Sequence, residues 1–496
     1  MPTAAERSAP ELSALADAVL LPGFHGTTAP DWLRRRISGS LGGVCLFGSN
    51  IAEPEQLRAL TDSLRRERDD VVVSVDEEGG GVTRLDAETG SRFPGVAALG
   101  RADDVALTEQ IGRAVGRLVA QSGITLNFAP CADVMVNRMN PVIGIRSFGA
   151  DPALVARHTA AFVTGHQAAG VAACAKHYPG HGDTDVDTHL SVAVIHSDLD
   201  SMRATALLPF AAAVDAGVAS VMAGHLLVPA VDALPASVSG RWLTEILRLE
   251  MGFTGAVVTD ALEMAAIAVT WGMAEGAVMA IEAGADLLCL GADDATPELL
   301  DTIGSALIAA VRSGRIPESR LHEAAGRARS LAAPPTIVEP VDAERDKVLS
   351  ESAARRALQA IGPLPRLTPG VLVIRCEAGR NFAIGSVPWG PMAAIPGRFR
   401  PVEYVVTPTS ELDSAVLAAA PQVLVVTSDR HRYPWMTAVV ETVLGQRPDT
   451  VLIEMGTTGV DGALAPAIAS FGSGLANANA VIEALTGRTS PGTVGV

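Results

Sequence analysis

The segment Lys176-His177-Tyr178-Pro179-Gly180-His181-Gly182-Asp183-Thr184-Asp185-Val186-Asp187-Thr188-His189 concentrates acidic, basic and imidazole groups in one short stretch. It leaves an apolar run, and Pro179, Gly180 and Gly182 rule out a continuing helix, so it opens a loop of about twenty residues, a length that is usually functional or disordered. Four chemistries compete for it. Asp183, Asp185 and Asp187 suggest a calcium loop, but Thr188 stands where an EF-hand needs Gly and Val194 where it needs a bidentate Glu. His177, His181 and His189 suggest zinc, yet no helix sets an i, i+4 geometry between them. A solvated polar loop with Asx turns is the bland reading. The fourth is general acid/base catalysis. Asp187 and His189 lie two apart, so an extended backbone points both side chains the same way and lets the carboxylate fix the tautomer of the imidazole. A histidine so held can both give and take a proton near neutral pH.

A second stretch, Ala256-Val257-Val258-Thr259-Asp260-Ala261-Leu262-Glu263-Met264, is a buried-strand run that ends in a carboxylate. Asp260 is either a reacting group or a cap for the next helix. Both stretches need a scaffold that brings strand ends together. Candidate strands at Val19–Phe24, Gly42–Phe47, Asp70–Glu78, Ile124–Asp133, Val171–Pro179, Ala219–Leu226, Gly255–Leu262 and Ala285–Gly291 alternate with helical periodicity over Pro54–Arg66, Asp103–Gln121, Pro152–Ala169 and Leu199–Ala216. Eight such units close a (β/α)8 TIM-type barrel, with a doubly wound open sheet as the alternative. In a barrel the polar residues after these strands (Asp76, Glu78, Asn127, Asp133, Lys176, His177, His225, Asp260 and Glu263) open onto one face.

The fold class is therefore α/β, a TIM-type barrel followed by a smaller α/β sandwich. The barrel domain spans 1–335. The Pro-marked stretch 336–365, with a charged helical run at Asp342–Ala360, reads as a linker, and 366–496 as the sandwich, with strands at Val371–Cys376, Glu403–Thr407, Val423–Ser428 and Val451–Met455. A formal charge of −17 without a basic stripe argues against nucleic acid. Five scattered cysteines fit reduced, buried thiols. MPTAAERSAPELS lacks the layout of a secretory signal, and the most apolar later run, Val218–Leu234, is broken by His225 and Pro229, so a cytoplasmic protein with no membrane association is expected.

Taken together, these stretches resemble glycoside hydrolase family 3, and within it the β-N-acetylglucosaminidase branch. KHYPGHGDTDVDTH is similar to the signature of that branch, which usually has Phe for Tyr178 and Ser for Thr188. VVTDALEM is similar to its nucleophile segment, and VDEEGGGVTRL, NFAPCADV and NPVIGIRSFG resemble its other blocks in the same order, over about residues 15 to 330. The resemblance implies a retaining exo-β-N-acetylglucosaminidase with Asp260 as nucleophile. It implies His189 as acid/base with Asp187 as its partner, and Asp76, Arg84, Arg146, Lys176 and His177 as the residues that hold the terminal sugar. No metal or organic cofactor is implied; the partner is a carbohydrate, either a muropeptide or a chitooligosaccharide, and the oligomeric state is left open. The chain departs from the usual Asp-Gln-Glu-Gly-Gly-Arg block at Glu77 and Gly81, and Ile145 stands where an acidic residue commonly precedes Arg146.

Rival functions are a β-glucosidase, a β-N-acetylglucosaminide phosphorylase, and a non-catalytic sugar-binding protein. A neutral His acid/base would let phosphate approach where a carboxylate repels it. In glucosidase-type relatives a second domain can supply the acid/base, for which Glu454 or Asp461 qualify here by position alone, although the Asp187–His189 pair makes that unnecessary. Gly79-Gly80-Gly81 is followed by no Gly-Lys-Ser/Thr and reads as close backbone approach rather than a phosphate loop. His225 either lines the pocket or is a satisfied core histidine.

Overall fold

Short runs of Val, Leu, Ala and Cys, flanked by glycine or charged residues, form the first sheet of the computed structural model, which describes residues 9–186, 192–335, 340–379, 383–460, 462 and 466–487. Its strands are β1 (Leu20–Pro22), β2 (Gly43–Leu46), β3 (Val72–Val75), β4 (Leu126–Asn127), β5 (Ala172–Tyr178), β6 (Ser220–Ala223), β7 (Ala256–Thr259) and β8 (Leu288–Leu290). Strands buried on both faces need cover on both sides, and a helix-ringed closed sheet provides it. β2 through β7 pair in sequence order, all parallel. β1 pairs with β8 in the register Leu20↔Leu288, and the bridges Gly23↔Cys45 and Val258↔Leu287 join the two ladders into a closed barrel. The doubly wound alternative is thereby excluded for this part of the chain.

The barrel belongs to a unit made of Met1–Glu77, Thr108–Asn140 and Ala150–Val341. Leu21, Cys45, Val72, Phe128, Cys174, Met222, Val258 and Leu287 belong to its central core. The outer helices start on sequence signals. Pro54, Pro152 and Pro297 each occupy a first-turn position, where no N–H is needed, and Asp151 and Thr296 accept N–H bonds from Ala153 and Leu299. Helix Pro54–Glu67 buries Leu57, Leu60, Thr61 and Leu64 and turns Arg58 and Arg66 outward. Where the strands begin, the fully buried Asp286 pairs with Arg248 and Arg320 and accepts the Val257 N–H at 2.9 Å, which ties the helical segments Arg241–Glu250 and Glu318–Ser330 to the start of β8.

The second unit comprises Glu78–Leu107, Pro141–Gly149 and Asp342–Val496. Its sheet is ordered β9 (Gln359–Ile361), β14 (Ala467–Ala469), β13 (Val451–Glu454), β12 (Val423–Thr427), β10 (Leu372–Cys376) and β11 (Val402–Val406), parallel except where β9 runs against β14. One face carries Ala354, Val481 and Leu485 from helices Ala343–Ala357 and Leu475–Thr486. The other carries Leu417, Met436, Val440 and Val443 from Ser414–Ala419 and Pro434–Gln446, together with Ala97 and Ile145 from the two earlier segments. The charged run at 342–360, placed between domains in the sequence reading, thus forms a helix and an edge strand of this unit, and Arg355 bonds Glu483 at 3.0 Å. Among the described residues no helix is long and apolar enough to cross a membrane.

Candidate active site

Parallel strands in a closed ring carry the residues that follow them to one rim, and the chemistry-bearing side chains of the first unit gather there. Asp76 follows β3, and Lys176 lies within β5. Nζ of Lys176 is 2.5 Å from Oδ1 of Asp76, with Lys176 almost wholly buried and Asp76 partly open to solvent. An ammonium taken out of water needs such a partner, and the pair presents a fixed donor beside a fixed acceptor.

His177 is oriented by Asp133, which follows β4. Nδ1 of His177 lies 2.8 Å from Oδ2 of Asp133, so Nδ1–H donates to the carboxylate and Nε2 is left for other partners. Asp133 is fully buried and also accepts the backbone N–H groups of His181 at 2.6 Å and His177 at 3.3 Å. Burial alone would push this carboxyl up, but the His177 charge and these hydrogen bonds outweigh it and hold the group below the usual range. Asp133 is therefore an anionic hub beneath the loop. Its role as a hub is not visible in the local sequence, because the histidine and the backbone N–H groups it holds lie more than forty positions away.

His181 has a different role. Burial lowers its pKa to about 4, and Nδ1 lies 2.8 Å from Oγ1 of Thr184, so at neutral pH it is an uncharged bracing residue. The Asn140 amide donates to the His181 carbonyl at 2.8 Å, and Asn137 N–H donates to the Gly182 carbonyl at 3.0 Å, which pins the outgoing stem of the loop. Beyond the loop, Ala193–Val194 pairs with Leu226–Leu227 and pins the returning stem. Asp187 and His189 lie outside the described residues. Of the three histidines that suggest zinc, His189 is thus outside the described residues; among the described residues, possible ligand atoms within 4.8 Å of one another are those of Cys131, Asp133 and His177, and this carboxylate also accepts N–H donors.

Tyr178 stacks edge-on against Phe210 and Trp242, and its hydroxyl donates to the Trp242 carbonyl at 3.1 Å. A phenol thus fits where the resembling sequences carry Phe, because its one polar atom is satisfied.

Asp260 is the first residue after β7. Its N–H donates to the Ala223 carbonyl at 2.9 Å, its Oδ1 accepts the Ala261 N–H at 2.9 Å, and the side chain is partly exposed at the rim. His225 steadies the next residue: Nε2 lies 2.9 Å from the Ala261 carbonyl, which can only accept, so Nε2 carries the proton and Nδ1 accepts from Ser237 Oγ at 2.6 Å. His225 is a satisfied, fully buried histidine that braces the Asp260 backbone. Three residues on, Glu263 seats its carboxyl over Gly291, a position where any β-carbon would collide with it. Burial raises the Glu263 pKa, with Asp294 and Asp260 adding to the effect, and Oε2 has no hydrogen-bond partner among the described residues.

Arg84 and Arg146 belong to the second unit. Arg146 is buried and makes a two-pronged pair with Glu78, Nε to Oε2 at 3.0 Å and Nη2 to Oε1 at 2.8 Å. Glu78 therefore orients Arg146 in a chain that has Ile145 beside it. Arg84 donates through Nη2 to the Ala383 carbonyl at 2.8 Å.

With this geometry in hand, the relatives are informative. The family model described as "Glycosyl hydrolase family 3 N terminal domain" matches residues 30–331. The chain belongs to glycoside hydrolase family 3. It is 38% identical over 294 residues to a β-hexosaminidase of Stenotrophomonas maltophilia, covering 57% of this chain and 85% of that one. It is 34% identical over 285 residues to β-hexosaminidase A of Pseudoalteromonas piscicida, where it spans about half (48%) of the relative's length. The fold is that of a family 3 β-N-acetylglucosaminidase from Paenibacillus sp. str. FPU-7, with a TM-score of 0.86, 31% identity and 97% of each chain covered. This family 3 chain is a glycoside hydrolase.

In this glycoside hydrolase the second unit's Glu454 is fully buried. Its Oε1 accepts the N–H groups of Asp429 and Gly456, each at 2.8 Å, and its Oε2 accepts the Thr427 hydroxyl at 2.8 Å. Burial, with Asp429 nearby, pushes its pKa up to about 7. A carboxyl so enclosed braces the loops after β12 and β13. Asp461 lies outside the described residues. A cavity of about 350 Å³ lined by Ala18, Gly39, Ser40 and Asp70 opens where the strands begin, the end of the barrel remote from Asp260.

Proposed function

We propose that the enzyme is a retaining exo-β-N-acetylglucosaminidase that removes the terminal β-linked N-acetylglucosamine of muropeptides or chitooligosaccharides. Asp260 attacks the anomeric carbon to form a glycosyl-enzyme, which water then hydrolyses. His189, oriented by Asp187, protonates the leaving oxygen in the first step and takes a proton from water in the second. Asp76, Lys176, His177, Arg84 and Arg146 hold the sugar hydroxyls. The observation that carries the reading is the partly exposed Asp260 carboxylate, fixed at the rim through its own N–H and that of Ala261. The buried Lys176–Asp76 pair supports it, since fixed charged donors and acceptors discriminate hydroxyl epimers strongly. The names of the S. maltophilia and Paenibacillus relatives support the N-acetylhexosamine preference. Five free, buried cysteines are in keeping with a cytoplasmic setting.

The deciding experiment compares aryl β-N-acetylglucosaminide with aryl β-glucoside, each with and without phosphate. Preference for the N-acetylated substrate with free sugar as product is expected. Preference for the glucoside refutes the substrate assignment, and accumulation of sugar 1-phosphate refutes water as the acceptor.

A further inference from the structure

Gly81 and Ile145 depart from the usual blocks at positions 64 residues apart, and within the second unit they meet. A β-carbon at Gly81 would stand 3.4 Å from Cδ1 of Ile145, 3.5 Å from Cδ1 of Ile384 and 3.6 Å from Oγ of Ser473. Ile145 is buried, and it shares a core with Cys376, Val406, Val425, Leu452 and Phe471 of the sandwich sheet. Its neighbour in sequence is Arg146, held by Glu78. Three residues from Gly81 is Arg84, whose guanidinium donates to the carbonyls of Ala383 at 2.8 Å and Ile384 at 3.4 Å. The residue that fills the space over Gly81 with its side chain therefore also grips Arg84 with its backbone.

We infer that Gly81, Ile145 and Ile384 form an apolar clamp through which the sandwich unit positions Arg84 and Arg146 for the terminal sugar. The inference rests on the sugar-binding role proposed above for the two arginines. The physical case is one of paired exchange. An arginine at 81 would need the space that Ile145 and Ile384 occupy, and a carboxylate at 145 would sit unpaired in an apolar core, a costly burial. Changing both at once places a charge pair at the contact, and the smaller carboxylate yields part of the room the arginine needs; changing one leaves either a clash or an orphaned charge. The two departures are thus a single substitution of one kind of contact for another. Ile145, which precedes Arg146, and Ile384, whose carbonyl accepts from the Arg84 guanidinium, are positioning residues.

The test is a double-mutant cycle on the full-length enzyme with an aryl β-N-acetylglucosaminide. Gly81→Arg and Ile145→Asp, taken singly, are expected to raise KM by about 10- to 100-fold, more than they lower kcat, because a displaced arginine loses a charge-assisted hydrogen bond to the bound sugar. The double variant is expected to recover to within about fivefold of the parent KM, a non-additivity that residues in contact display. Ile384→Ala, a milder change, should raise KM by about threefold while the unfolding midpoint stays close to that of the parent. Additive single effects, or an unchanged KM in Ile384→Ala, overturn the clamp. Should either single variant fail to fold, recovery of folding and KM in the double variant supports the clamp and its absence refutes it. Arg84→Ala and Arg146→Ala separate the premises: if they leave KM unchanged the sugar-binding reading fails, whereas if they raise it and the cycle is additive, only the clamp fails.

Discussion

Replacing Asp133 with asparagine removes one charge and keeps the shape, so its effect can be worked out bond by bond. The carboxylate accepts the His181 N–H at 2.6 Å, the His177 N–H at 3.3 Å and the His177 Nδ1–H at 2.8 Å. In Asp133→Asn the amide oxygen can keep the two backbone donors, but the amide NH2 then faces Nδ1. His177 must shift its proton to Nε2, which changes the group it offers at the rim from acceptor to donor. Hydrogen bonds to a charged group contribute about 1.5–3 kcal/mol each. All three bonds then become neutral ones, each worth about 1 kcal/mol less, so a loss of about 3 kcal/mol is expected at pH 7. The sign with pH follows from the lowered pKa of Asp133 in the folded protein. Its contribution is fully present above the unfolded value, near 4, and is lost as pH falls through the lower folded value. The stability gap between parent and variant should therefore be present at neutral pH and narrow below about pH 4. Urea unfolding at pH 7, 5 and 3.5 reads the gap, and KM for an aryl substrate reads the altered His177. A loss below about 0.5 kcal/mol with unchanged KM would refute the hub role of Asp133.

Glu454, with its pKa raised to about 7, makes the opposite prediction: folding is favoured at low pH and weakened as pH rises from the unfolded value through 7, so Glu454→Gln should flatten the decline in thermal midpoint between pH 5 and 8. A parallel decline in the variant would count against it. Tyr178→Phe should cost about 1 kcal/mol in urea unfolding, the value of one neutral hydrogen bond to the Trp242 carbonyl, with kcat preserved; a large drop in kcat would mean the hydroxyl does more than satisfy that carbonyl. His189→Ala should slow poor leaving groups far more than activated aryl ones, and equal losses would argue against proton donation by that imidazole.

The barrel was legible because its strands are written as runs of β-branched and small apolar residues between helical periods, and the observed β1 to β8 each fall inside a run read from the sequence. Other strands were lost: β9 (Gln-Ala-Ile) closes a charged helical run and β14 (Ala-Ile-Ala) is mostly alanine, so neither carries the run of β-branched residues that marks a strand. Leu199–Ala216 reads as one helix but forms Leu199–Ala204 and Leu208–Asp215, because Pro209 lacks the N–H to carry the ladder on and Leu207 turns back to the Met202 carbonyl. Asp76, Lys176, His177 and Asp260 could be picked out as rim residues because each ends or follows a strand run. The pairs that orient them could not. Asp133 reaches His177 across 44 positions and Glu78 reaches Arg146 across 68, and pairings of that span are set by the closed barrel and the sandwich core rather than by local pattern. Gly81 and Ile145 read as two separate losses in the sequence and as one contact in the fold.

The central claim is that Asp260 forms a covalent bond to the anomeric carbon. The most direct measurement is peptide mapping by mass spectrometry after rapid quench with an activated fluorinated N-acetylglucosaminide, whose glycosyl-enzyme hydrolyses slowly. The account predicts one sugar per chain on the peptide containing Asp260, and none in Asp260→Ala. A label on another carboxylate, or turnover of this reagent with no covalent species, would contradict it.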